Sequence, residues 1–153
     1  MRYWRQEGRR LWMDCEIGSF HWDMPKKWKL SETHPDLLKL AEWVLLDPWT
    51  PGIIDKHEWS RKPGKKPGLS FSAGIESTAA MLIMPKNTVV AYHERDFESM
   101  LKHDNAKRFI KRLRWRHFRK VTIVKSDHEK IRTHFGKANG FSTDLACAVH
   151  LIL

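Results

Sequence analysis

The sequence predicts an α/β fold: a parallel sheet with crossover helices, preceded by a small tryptophan-rich segment with one helix. Three observations carry this. From residue 69 onward, short apolar or β-branched runs alternate with stretches of helical periodicity, the pattern of parallel strands joined by right-handed crossovers. The chain has 153 residues, 41% hydrophobic and 30% charged, which is the balance of a soluble domain with a sizeable core. Seven of the eight tryptophans lie in the first 59 residues. The stretch "SRKPGKKPG" at 60–68 then reads as an exposed, mobile linker. It divides a segment 1–60 from a domain 61–153.

The elements follow in order. "RLWMDCEIGSFHWDM", broken by Gly18 and Pro25, predicts one or two short strands. "HPDLLKLAEWVLLDPW" predicts a helix, because Leu37, Leu40, Ala41, Val44 and Leu45 fall on one face. Pro35 suits its first position, Asp36 its positive end, and Pro48 with Pro51-Gly52 stops it. After the linker come a strand "LSFS", a turn "AGIE" and a helix "STAAMLIM". "TVVAYHER" (88–95) and "KVTIVKS" (120–126) read as buried strands. Between them lies a helix broken near Asp104-Asn105, with a stripe of Ala106, Phe109, Ile110 and Leu113. "DHEKIRTHFGKANG" is a short helix or loop, and "STDLACAVHLIL" a helix capped at Ser142 or Thr143.

Composition narrows the function classes. No apolar run approaches the length of a membrane span, and no apolar h-region follows the charged first residues, so neither a span nor a secretory leader is expected. Two distant cysteines, Cys15 and Cys147, fit neither a disulfide framework nor a cysteine-rich zinc site, and a reducing cytoplasm is the expected compartment. Among nine histidines there is no His-x-x-x-His pair, so no zinc site is expected. The net charge of +10 suits either a polyanionic partner or a solubilising surface.

In α/β sheets ligands sit at the carboxyl ends of strands. The first such loop here is "SAGIES", 72–77. It is not a Walker A loop, since no Gly-Lys-Ser/Thr follows a strand. "SFSAG" also fits a nucleophile elbow on Ser72, with Asp127 or Asp144 and His134 or His150 as triad partners, although few residues remain for a hydrolase sheet. A tight turn without ligand is the plain alternative. Small residues at a helix start with free N–H groups suit a bound anion.

"LSFSAGIEST" resembles the signature of the PP-loop ATP pyrophosphatases, the adenine nucleotide alpha-hydrolase-like superfamily. Their pattern is an apolar strand, Ser-Gly-Gly-x-Asp-Ser, then a helix. Ser72 matches the first Ser, Gly74 the second Gly and Ser77 the last Ser; Ala73 replaces the first Gly and Glu76 the Asp. "HPDLLKLAEWVLL" and "GFSTDLACAVHLIL" look similar to segments near the 7-cyano-7-deazaguanine synthase branch, although that branch's cysteine zinc cluster has no counterpart here. The resemblance covers about residues 69–153 and implies a PP-loop/HUP-like sheet. It implies ATP and Mg²⁺ as cofactors, with pyrophosphate on Ser72, Ala73, Gly74, Glu76, Ser77 and Thr78, and Glu76 at the Mg²⁺. The second strand's end, at His93, would meet the nucleotide. The implied chemistry is adenylation of a substrate with release of pyrophosphate. A full domain of the family runs further, which implies a shortened member or one whose sheet is completed by a second copy or a partner.

Two further constellations stand apart. "AKRFIKRLRWRHFRK" (106–120) holds eight Lys/Arg and no acid. Lys107, Arg108, Lys111, Arg112, Arg114 and Arg119 would form a basic face, with Trp115 or Phe118 stacking on a base of tRNA or DNA; a solvated helix face explains the same residues. A non-catalytic nucleic-acid-binding protein on a degenerate PP-loop scaffold is therefore the rival reading. Ser142 and Asp144 suit either a substrate or phosphate site or a helix cap.

Overall fold

The computed structural model describes residues 2–52, 57–97, 102–136 and 146–153. Three strands open it, β1 (Tyr3–Glu7), β2 (Arg10–Cys15) and β3 (Gly18–Asp23). The β1–β2 turn is tight because Gly8 takes φ 59°, a left-handed conformation cheap only for glycine. Helix α1 (Pro35–Leu46) follows, then β4 (Gly68–Ser70), α2 (Ile75–Ile83), β5 (Val89–Arg95), α3 (Asp104–His117) and β6 (Val121–Ser126). A 3₁₀ turn (His128–Lys130) leads into α4 (Ile131–His134), and a second one (Ala146–Ala148) into α5 (Val149–Ile152). The expected strand–helix alternation after the linker is present. The N-terminal segment holds three strands rather than one or two.

All six strands join one sheet in the order β1-β2-β3-β6-β5-β4. The expectation of a parallel sheet is corrected to a mixed one. β4, β5 and β6 run parallel, while β1–β3 form an antiparallel meander that meets β6 antiparallel through Trp22↔Ser126 and Asp23↔Lys125. The physical reason is the short turns between β1, β2 and β3, which can only reverse the chain.

The core has two parts. Leu11, Met13, Phe20, Trp22 and Val124 pack one sheet face against Ala41, Leu45 and Leu46 of α1, Ile131 of α4 and Val149 of α5. On the opposite face Phe71, Val90 and Tyr92 pack against Met81 of α2 and Ile110 and Leu113 of α3, with Ala106 and Phe109 at the margin. The α3 stripe is therefore the expected one. In α1 the expected face is buried at Ala41 and Leu45, whereas Leu37, Leu40 and Val44 are half-buried.

Helix α1 starts where expected. His34 Nδ1 accepts the Asp36 N–H at 3.2 Å, and Pro35, having no N–H, needs no acceptor. Asp36 also accepts from His57 Nε2 (2.9 Å), Ser60 N–H (2.8 Å) and Arg61 N–H (2.7 Å), fastening the start of the exposed linker to the helix. Among the described residues no helix is long and apolar enough to cross a membrane.

Candidate functional site

The loop after β4 leaves the sheet beside β5, where Phe71 N–H still bonds Ala91 O at 2.8 Å. Ala73 then takes φ 64°, and Gly74 is the extended N-cap of α2. A Cβ on Gly74 would lie 3.2 Å from Ser72 Oγ and 3.5 Å from Glu76 Oε2, so glycine keeps the turn open. Gly74 N–H donates to Ser72 Oγ at 3.2 Å, and the Ser72 and Ser77 hydroxyls are 3.0 Å apart. The Ser77 and Thr78 hydroxyls donate to Gly74 O at 3.2 and 2.7 Å. No side chain caps α2. Its first-turn N–H groups have no intrahelical acceptor. Glu76 is exposed at the same end.

Among the described residues Ser72 Oγ bonds Ser77 and Gly74, with no histidine. Asp127 is held by His21 N–H (2.7 Å) and Lys130 (3.0 Å), and His150 is buried. Among the described residues no triad forms on Ser72, and the nucleophile-elbow loop is a hydroxyl cluster.

A cleft of about 610 Å³ opens beside this loop, at the carboxyl ends of β4 and β5 and under the start of α3. Ser72, Ala73, Tyr92, Arg95, Lys102 and Phe109 are in its wall. His103 bridges the far side: its Nε2 accepts Arg95 N–H at 3.3 Å, so its Nδ1–H donates to Tyr92 OH at 2.6 Å. Burial holds the His103 ring below the usual histidine range and pushes the Tyr92 hydroxyl up.

His93 lines the same cleft, as expected for the end of β5, but its ring is engaged on the opposite sheet face. Its Nε2 donates to Ser126 O at 3.3 Å, and its Nδ1 lies 3.7 Å from Glu129 Oε1. The His128 ring packs 4.4 Å from it, centroid to centroid. One ligand atom from each of His93, His128, Glu129 and Cys147 lies within 4.8 Å of all the others. Sequence reading missed this group, because its members come from β5, a 3₁₀ turn and the C-terminal segment. Burial pushes His93 and His128 below the usual histidine range and His150 down to about 3. Burial alone would raise the Glu129 carboxyl; hydrogen bonds from Arg95 outweigh it and hold the group low. Arg95 grips Glu129 with two nitrogens, and Arg132 adds a third bond at 3.0 Å.

The basic face of α3 is narrower than expected. Lys107 is paired with Glu94. Arg119 is buried and donates to Pro85 O and Met81 O at 2.9 Å each, and to Met84 O. It is corrected from a surface cation to a cap on the C-terminal carbonyls of α2, where the helix dipole favours a positive charge. Arg108, Lys111, Arg112 and Arg114 are exposed. The first three of them, with Trp115 and Arg116, line a shallow groove of about 300 Å³. Trp115 is 76% exposed and Phe118 92%. Ser142 and Asp144 lie outside the described residues. No family model, curated protein or solved structure matches the chain.

Proposed function

We propose that the chain is an ATP-binding protein of PP-loop type, holding the pyrophosphate end of ATP on residues 72–78 and adenylating an acceptor with release of pyrophosphate. The observation that carries this reading is the loop itself: an uncapped helix start after a parallel strand, lined by three hydroxyls and opening into a cleft. The residues fit the ligand. Gly74 leaves the space a Cβ would fill, the first-turn N–H groups of α2 offer donors to phosphate oxygens, and the Ser72, Ser77 and Thr78 hydroxyls would turn from their bonds within the loop to join them. Exposed Glu76 suits Mg²⁺, which prefers carboxylate and phosphate oxygens. Lys102 in the cleft wall would balance phosphate charge, and Phe109 and Tyr92 supply apolar surface for a base.

ATP supplies an α-phosphate open to attack and a pyrophosphate leaving group. The chain orients the phosphates, excludes water from the cleft and stabilises the charge developing at the leaving oxygen with donors already in place. No covalent protein nucleophile is needed.

Calorimetric titration of ATP·Mg²⁺ into wild type and Ser77→Ala tests this. Binding in the wild type should weaken about tenfold or more in the variant, at least about 1.4 kcal/mol. Absence of binding in both rejects the reading.

A second reading rests on a separate observation, the exposed Trp115 framed by Arg108, Lys111, Arg112 and Arg116. Cations with an exposed aromatic ring are the elements of single-strand nucleic-acid binding. Steeply salt-dependent binding of tRNA or DNA, lost in Trp115→Ala and unaffected by Ser77→Ala, would favour it.

A further inference from the structure

We propose that His93, His128, Glu129 and Cys147 form a four-ligand site for a divalent cation of the zinc class. Ser126 is the reason the geometry points there. Its hydroxyl donates to His21 O at 2.5 Å, so it can only accept from His128 Nδ1, 2.8 Å away. That leaves a lone pair on His128 Nε2. This atom is buried with no hydrogen-bond partner among the described residues, in a side chain that is 0% exposed. The carbonyl of the same Ser126 takes the Nε2–H of His93, so the lone pair of that ring is on Nδ1, the atom facing Glu129. One residue thus sets both imidazole tautomers, the arrangement that orients metal-bound histidines.

The other two donors complete the set. Glu129 Oε2 accepts from Arg95 and Arg132, while its Oε1 accepts from Arg95 Nη2 at 3.1 Å, faces His93 and lies 4.0 Å from Cys147 Sγ. Two imidazoles, a carboxylate and a thiolate suit zinc and not magnesium or calcium. Metal–ligand distances of about 2.0–2.3 Å give donor separations of about 3.3–3.8 Å in a tetrahedron. The present separations of up to 4.8 Å therefore need about 1 Å of closure. A hydrophobic-core role alone leaves the buried His128 nitrogen unexplained. With four protein ligands the site is structural, tying the C-terminal segment through Cys147 to β5 and the turn after β6. Its ligands His93, Glu129 and Cys147 also line the cleft assigned to the nucleotide.

Titration of Co²⁺ into the reduced, metal-depleted chain tests the site. Saturation is expected at one equivalent, with the visible bands of tetrahedral cobalt, a near-ultraviolet thiolate charge-transfer band, and displacement by Zn²⁺. Cys147→Ser should lose the charge-transfer band and Cys15→Ser should keep it. His128→Gln should weaken Co²⁺ binding at least tenfold. A wild type without a cobalt spectrum overturns the proposal, as does a thiolate band that survives Cys147→Ser. The wild-type spectrum decides even where the histidine variant does not fold. No nucleotide is present, so this result and that of the ATP titration are read separately.

Discussion

The two halves of the sheet solve the same burial problem differently. In the antiparallel half, β1–β3, one face packs into the core and the other meets solvent. The inner face carries Leu11, Met13, Phe20 and Trp22. The outer face is held by Arg5–Asp14 and Arg10–Asp23 pairs, both 2.8 Å, with Arg5 stacked 4.8 Å over Trp12. In the parallel half, helices cover both faces. Val90 and Tyr92 point to α2 and α3, and the alternate residues of β5 point toward α5. Parallel strands send all their carboxyl ends to one edge, and both the hydroxyl-lined loop and the cleft are there. Both halves bury a core, and the cleft opens at the parallel half.

The largest expected effect asks whether the halves are separable. Trp22 is fully buried, 5.7 Å from Trp4 and stacked on His128 at 5.7 Å. Trp22→Ala should cost about 3–5 kcal/mol and leave a single cooperative urea transition. Two separate transitions would break the view that the one sheet unfolds as a unit.

Arg119→Met acts on the parallel half alone. It leaves the carbonyls of Met81, Met84 and Pro85 without their donor, for an expected loss of about 1–3 kcal/mol by urea denaturation. A neutral result would return Arg119 to the surface.

A gain is expected at Ala73. Its φ of 64° disfavours a residue with a Cβ, so Ala73→Gly should stabilise by about 1 kcal/mol, read as a higher urea midpoint at unchanged slope. A loss would show that the loop relaxes away from the left-handed conformation.

The smallest effect is one that acid removes. The Asp36 carboxyl is held below the usual range first by His57, then by the Arg61 and Ser60 N–H groups. Its folded-state value is depressed, so its contribution is complete above the unfolded value near about 3.9 and fades as pH falls through the folded one. The melting temperatures of wild type and Asp36→Asn should differ at neutral pH and converge in strong acid. A constant difference would mean that the carboxylate charge is not what fastens the linker.

Helix α1 and much of the parallel half were legible because their signals are local. Pro35 and Asp36 mark the start of α1, the 106–113 stripe gives the buried face of α3, and the β-branched runs give β5 and β6. The small residues at 72–77 mark the loop. The basic face of α3 was overread, because helical spacing locates Arg119 and Lys107 near the other cations but carries no information about Met81 O or Glu94. The metal-type cluster was illegible for the same reason. His93, Glu129 and Cys147 share no sequence period, and two cysteines far apart argue against zinc on spacing alone.

The sequence by itself determined where strands and helices alternate and which loop opens a helix with small and hydroxyl residues. These depend on contacts a few residues apart, which periodicity records. Only the tertiary structure decided that three antiparallel strands extend the sheet, that Arg119 is buried, and that Ser126 orients two histidines. Those outcomes depend on strand register: Arg95 opposite Ser126 and Trp22 opposite the same serine bring β3, β5 and β6 together at one point. A register of that kind is set by the packing of the whole sheet, and no local window of the chain contains it.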